Sequence, residues 1–214
     1  QTGGIVMISE KMKPLVNNNS AIRAMFEEGN KLRAKYGAEN VYDFSLGNPN
    51  VPAPVQVKEA IIEELNKEDP VVLHGYMNNS GYEDVRDAIA QSINKKFDTA
   101  FTEKNIIMTV GAAGGLNVIL KTLLNPGDEV IAIAPYFGEY NSYVSNYDGK
   151  IVVVSPNTVD FQPNLEEMEQ KITAKTKAVI INSPNNPTGV VYSEATIMKM
   201  ADMLRAKQKE FGTD

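Results

Sequence analysis

From Ile106 onward, short apolar runs alternate with stretches of helical spacing, and no other feature restricts the fold of this chain so tightly. Ile106 to Val110, Val130 to Ala134, Ile151 to Val154 and Ala178 to Asn182 each read as a short buried strand. Between and after them lie Leu116 to Leu124, a helix-length segment before Ile151, a helix from about Asn164 to Thr173, and a last helix from Ser193. The last helix turns Ile197, Met200, Ala201, Leu204 and Phe211 inward. Strands with no polar alternation are buried on both faces, and helical connections between them imply parallel pairing. The expected class is α/β: a three-layer αβα arrangement with a mainly parallel sheet and helices on both faces.

The first hundred residues read differently. Ile22, Met25, Phe26, Leu32 and Tyr36 recur at helical spacing behind Ser20, a suitable N-cap. An extended piece from Val41 to Leu46 leads into Gly47-Asn48-Pro49-Asn50-Val51-Pro52-Ala53-Pro54, whose prolines forbid a continuing helix or strand. Val57, Ala60, Ile61 and Leu65 mark a second amphipathic helix, and Val85, Ile89, Ile93 and Phe97 a third. Met7 reads as a natural start. Residues 1–6 then read as a tag remnant, with Gln1-Thr2-Gly3-Gly4 similar to the tail of a small ubiquitin-like modifier.

Composition narrows the function. The 214 residues carry a net charge of −6, with acids and bases interspersed, which argues against nucleic-acid binding through clustered Lys and Arg. With no cysteine and one histidine, His74, neither disulfides nor ordinary zinc sites are expected. A cytoplasmic location is compatible with this, and no apolar run is long enough to cross a membrane.

Ligands of parallel α/β sheets bind beyond the carboxyl ends of the strands, and three unusual strings fall there. Gly111-Ala112-Ala113-Gly114-Gly115 separates a strand from a helix, where unobstructed backbone N–H groups can take an anion; a tight turn explains the string equally. It is neither Gly-x-Gly-x-x-Gly, since Ala113 holds the second glycine position, nor a P-loop. Phe137, after Pro135, can cover a flat heteroaromatic ring or simply pack in the core. Asn182-Ser183-Pro184-Asn185-Asn186-Pro187-Thr188-Gly189 makes poor core; its carboxamides suit a ring hydroxyl or phenolate, or an Asx-type turn. Tyr76, before the glycine at Gly81, can place a phenol near a phosphate or pack on a neighbour.

Taken in order, these strings resemble the class I/II aminotransferases of fold type I, the aspartate aminotransferase superfamily. The matching stretches are Gly47-Asn48-Pro49, Tyr76 with Gly81-Tyr82-Glu83-Asp84-Val85-Arg86-Asp87-Ala88-Ile89-Ala90, and Val110-Gly111-Ala112-Ala113. Leu124-Asn125-Pro126-Gly127-Asp128-Glu129-Val130, Pro135-Tyr136-Phe137 and residues 182–189 complete a series running from about Asp43. The resemblance implies pyridoxal 5'-phosphate as cofactor, and an amino acid and a 2-oxo acid as substrates. Amides of Ala112 and Ala113 would hold the cofactor phosphate, where many relatives add a Ser, Thr or Lys side chain. Phe137 would stack on the pyridine ring, and Asn186 would donate to the ring oxygen beside the substrate. Tyr76 would reach the phosphate of the other subunit of a homodimer, and Gly47 would offer its N–H to the substrate carboxylate. The resemblance also implies cis peptides at Ala134-Pro135 and Asn186-Pro187.

The same resemblance implies domains: an N-terminal arm and part of a small domain over 7–46, and the first part of the large cofactor-binding domain over 47–214. The family's Schiff-base lysine, the Asp on the pyridine nitrogen, a supporting Tyr and a substrate-binding Arg are expected beyond Asp214. Lys121 sits on a helix, and Lys175 and Lys177 precede a strand; none lies in a Ser-rich loop of the family type. A chain without that lysine is expected to be inactive alone. The same fold also serves carbon–sulfur lyases, aminocyclopropane carboxylate synthases and the aminotransferase-like domain of some transcription regulators. A non-catalytic fragment is the reading from a different class.

Overall fold

The computed structural model describes residues 7–13, 21–44, 47 and 51–213, with the side chains of 21–23 left aside. The expectations placed on residues 1–6, Ser20, Leu46 and residues 48–50, and on the Ile22 side chain, lie outside the described residues. The chain divides into two compact units, Gln1–Gly75 and Tyr76–Asp214.

In the first unit, α1 (Ala21–Tyr36) ends with Arg33 and Lys35 in its last turn, where cations oppose the exposed carbonyls. Arg33 reaches 3.1 Å to the Asp43 carboxylate, which is nearly buried against Gly29. Helix α2 (Val55–Lys67) starts behind Pro54 and confirms the second helix, although Val57, Ile61 and Leu65 are exposed. A single turn, α3 (Pro70–Leu73), has proline at its start and an Asp69 side chain accepting from Val71 N–H at 2.7 Å.

The second unit begins with a clamp. Helix α4 (Glu83–Phe97) buries Arg86 and Ala90. The row at Val85, Ile89, Ile93 and Phe97 is shifted one position from that face, and Val85 and Phe97 are exposed. The cause is the guanidinium of Arg86, which donates from Nε to Gly81 O at 3.2 Å and from Nη1 to Glu103 O at 2.6 Å. Gly81 sits at φ +96°, and an added Cβ would lie 2.5 Å from Met108 Cγ. Gly81→Ala is therefore expected to lower stability by about 1–3 kcal/mol, read as a lower urea midpoint at unchanged slope.

One expected strand is absent. Residues 106–110 form no ladder: Met108 N–H donates to Ser80 O at 2.9 Å, and Ile107 and Val110 are exposed. A β-branched run becomes a strand only when a partner takes its N–H and C=O groups, and among the described residues no strand lies beside it. Gly111 does not end a strand either; it opens α5 (Gly111–Leu123) at φ +67°, several residues ahead of the start expected at Leu116.

The other strands form as the apolar runs require. β1 (Glu129–Ile133), β2 (Lys150–Val154) and β3 (Thr176–Ile180) make a parallel sheet in the order β2-β1-β3. Ile131 stands opposite Val152 on one side and Val179 on the other. Helices α6 (Glu139–Ser145), α7 (Leu165–Lys171) and α8 (Glu194–Phe211) complete the layers. Because successive side chains on a strand point to opposite faces, β1 feeds two cores. Ile131 and Ile133 pack with Val154, Met168, Ile172 and Met200 beneath α7 and α8. Val130 packs with Leu120 and Val144 beneath α5 and α6. This is a three-layer αβα architecture. Helix α8 has Ser193 as N-cap, accepting from Thr196 N–H, and turns Met200, Leu204 and Phe211 inward. Ile197, expected inward, stays exposed because it lies a turn ahead of the stripe that meets the sheet.

Candidate functional site

The topology brings three loops to one end of the sheet. α5 reverses into β1 through a tight turn, in which Asp128 N–H donates to Asn125 O at 3.0 Å and Asn125 N–H to Asp128 Oδ2 at 2.9 Å. At 1.5 Å per residue α5 runs for about 20 Å, and at 3.3 Å per residue β1 returns for about 17 Å. The N-terminus of α5, with Ala112 and Ala113, therefore stands level with the C-terminal end of β1. β1 and β3 are parallel neighbours, so the segments leaving their C-terminal ends start side by side. One carries Phe137; the other carries residues 182–189.

At the N-terminus of α5, the first-turn N–H groups of any helix lack internal partners. Gly111 N–H is taken by Thr109 O at 2.9 Å, and the Thr109 hydroxyl donates to Gly111 O at 3.0 Å. No side chain caps the helix, and Ala112 and Ala113 are exposed. Two adjacent main-chain donors thus face solvent at the positive end of a thirteen-residue helix. No side-chain hydroxyl or ammonium from this pair supplements them.

Phe137 is 39% exposed, just before α6. Its ring meets the Tyr140 ring edge-on, at 5.8 Å between centroids and 85° between planes. Tyr140 is buried, stacks parallel to Tyr136 at 6.1 Å, and lies tilted against Tyr143 at 6.5 Å. Burial raises the Tyr140 phenol above its ordinary pKa, and the Tyr143 phenol adds to the rise.

The asparagine-rich loop divides its three carboxamides by task. Asn182 Oδ1 accepts from Asn186 N–H at 2.8 Å. Asn185 is 7% exposed, and its Oδ1 accepts from the Thr188 hydroxyl at 3.0 Å and from Thr188 N–H at 3.3 Å. Asn185 also hydrogen-bonds the Tyr192 phenol; burial raises that phenol's pKa, this bond opposes the rise, and nearby Tyr140 reinforces it. Asn186 is exposed, and its carboxamide has no hydrogen bond among the described residues. The Asx-type reading thus describes Asn182 and Asn185, while Asn186 keeps its donors and acceptor for another group. Ala134-Pro135 and Asn186-Pro187 are cis, as the resemblance implies, and Ser183-Pro184 is cis as well.

Two further candidates do not belong to these three loops. Tyr76 opens the second unit and is fully exposed. Gly47 belongs to the first unit, with open space where a Cβ would stand. Sequence reasoning missed Tyr140, Asn185 and Tyr192. Tyr140 carried a signal, since a tyrosine three residues after Phe137 is placed to meet it once the segment turns helical. The resemblance singled out Asn186 and gave Asn185 no role, and the chemistry of the two side chains is the same. Among the described residues no cluster of acids or histidine could hold a metal ion, and no helix is long and apolar enough to cross a membrane.

The chain is similar to proteins whose names agree. A probable aspartate/prephenate aminotransferase of Aquifex aeolicus is 35% identical over 173 residues, 80% of this chain and 42% of that protein. An aspartate aminotransferase of Thermotoga maritima is 34% identical over 174 residues, 81% of this chain and 45% of that protein. The crystal structure of an amino transferase from Eubacterium rectale superimposes with a TM-score of 0.93 at 45% identity, covering 98% of this chain and 53% of that one. The chain spans about half the length of the curated relatives it matches. The family model described as aminotransferase class I and II matches residues 39–209, the stretch that holds the uncapped helix, the aromatic loop and the asparagine loop; the chain belongs to that family of pyridoxal-phosphate-dependent enzymes.

Proposed function

We propose that this chain forms part of an aminotransferase that moves an amino group between an amino acid and a 2-oxo acid. The observation that carries the reading is the convergence of a free helix N-terminus, a half-exposed aromatic ring and an uncommitted carboxamide at one end of a parallel sheet. Those groups fit pyridoxal phosphate: Ala112 and Ala113 N–H would hold its phosphate, Phe137 would cover its ring, and Asn186 would donate to its ring oxygen. When bound, the cofactor supplies the electron sink for proton removal from the amino acid. This chain's part is to grip, orient and shield from water. Main-chain donors alone hold the phosphate in the Ala112–Ala113 pair, so the grip there rests on the helix end rather than on a side-chain charge.

Asn186 would also face the substrate, and Gly47 N–H would meet its carboxylate. The proposal includes a homodimer, in which Tyr76 would reach the other subunit's phosphate, and a cytoplasmic location. It assigns 7–46 to the N-terminal arm and small domain, and 47–214 to the large domain. The relatives are named for aspartate, prephenate or alanine, so amino transfer, rather than one side chain, is what their names share.

The covalent lysine is proposed to lie outside this chain. Lys121 ends α5 over the Tyr147 ring, Lys150 opens β2, Lys177 lies near the start of β3, and Lys207 lies near the end of α8. All four are at the end of the sheet opposite Phe137 and Asn186. Incubating this chain with pyridoxal phosphate and then borohydride is expected to give no lysine adduct above background by peptide mass spectrometry. A single site-specific adduct would contradict the assignment. The full-length protein, given pyridoxal phosphate and amino acids in turn, is expected to convert the cofactor to its pyridoxamine form. Release of ammonia or sulfide without that conversion would indicate a lyase.

A further inference from the structure

We propose that Tyr140 is a positioning residue for the cofactor site, setting the orientation of Phe137. The inference rests on the reading of Phe137 as the ring that covers pyridoxal phosphate. A phenylalanine at the surface end of a strand has free torsions unless something holds its ring. Among the described residues, the ring that meets Phe137 is Tyr140, edge-on at 5.8 Å and 85°. An edge-to-face pair is directional, because the positive rim of one ring meets the negative face of the other. Tyr140 N–H also donates to Phe137 O at 3.1 Å, so backbone and ring are tied to the same residue.

Tyr140 is itself well anchored. It is buried at the start of α6, with Tyr136 stacked at 6.1 Å and Tyr143 at 6.5 Å. Tyr140 therefore holds the residue proposed for the ring face without itself needing to touch the cofactor.

The test uses the full-length enzyme, freed of cofactor and titrated with pyridoxal phosphate, with affinity and the visible circular dichroism of the bound form as readouts. Tyr140→Leu is expected to weaken binding about 2- to 13-fold, the range an aromatic pair supports, and to alter the dichroism. Tyr140→Phe keeps the ring and is expected to bind as the parent does. In a Phe137→Ala background, Tyr140→Leu is expected to add little, because its effect runs through Phe137. Parent-like binding and dichroism in Tyr140→Leu, or a full additive loss in the double variant, would overturn the proposal. If Tyr140→Leu does not fold, Tyr140→Met takes its place in the cycle, and a Tyr140→Phe that loses affinity overturns the proposal. If Phe137→Ala alone changes neither readout, the placement of the cofactor against Phe137 fails instead.

Discussion

Asn185→Leu is expected to destabilise the chain by about 2–4 kcal/mol, whereas Asn186→Leu, one residue on, should stay within about 0.5 kcal/mol of the parent. The difference follows from which carboxamide is spent. Removing Asn185 strands the N–H and hydroxyl of Thr188 and the phenol of Tyr192. An orphaned buried donor or acceptor costs about 1–3 kcal/mol, and the half-buried Thr188 hydroxyl can recover part of that from water. Asn186 is exposed, and its carboxamide holds nothing in place. Urea unfolding of the two variants, followed by circular dichroism, measures the contrast. In the full-length enzyme the defect of Asn186→Leu should appear in cofactor affinity rather than in stability. Equal midpoints for the two variants would refute the division of labour.

Arg86→Met should cost a comparable amount, about 2–4 kcal/mol, although Met fills much of the same space. The guanidinium ties two carbonyls that are far apart in sequence, Gly81 O at 3.2 Å and Glu103 O at 2.6 Å. Losing it leaves Gly81 O without its donor and Glu103 O with the Ile106 N–H alone, at 3.2 Å, and frees the turn at Gly81 from the 3₁₀ turn at Glu103–Asn105. Arg86→Lys should recover less than half, since one ammonium on a flexible stem cannot serve both acceptors with a fixed fork. Thermal unfolding of the three proteins checks the order parent, Lys, Met. A Lys variant equal to the parent would mean that charge, rather than fork geometry, holds the turn.

Much of the sheet was legible because a buried parallel strand has a local signature. Val130 to Ala134, Ile151 to Val154 and Ala178 to Asn182 are unbroken apolar runs between turn residues, and each lies on a strand to within two residues. Two helix starts were equally local: the helices expected from about Asn164 and from Ser193 open there, and both side chains accept from N–H groups of the first turn. Residues 106–110 have the same β-branched character and form no strand. The run says that the segment can pair, and pairing depends on what lies beside it. The third helix was placed correctly, yet its buried face was read one residue off, because a buried arginine does not register in an apolar pattern.

The family-level strings were readable because they are ordered motifs, and the uncapped helix end at Ala112 and Ala113 could be anticipated from small residues after a turn. The resemblance singled out Asn186, but the scaffold roles of its neighbours could not be read. Asn182, Asn185 and Asn186 are chemically identical, and only the folded chain decides that Asn182 takes the Asn186 N–H and that Asn185 meets Thr188. Nor could the sequence show that Tyr140 holds the Phe137 ring edge-on, since that requires α6 to form and its rings to meet. By itself the sequence determined the αβα class, the run of its elements and the family, because apolar periodicity, caps and turns act over a few residues. The tertiary structure decided which runs found a ladder and which polar groups were already committed, because hydrogen bonds and burial are set by neighbours distant along the chain.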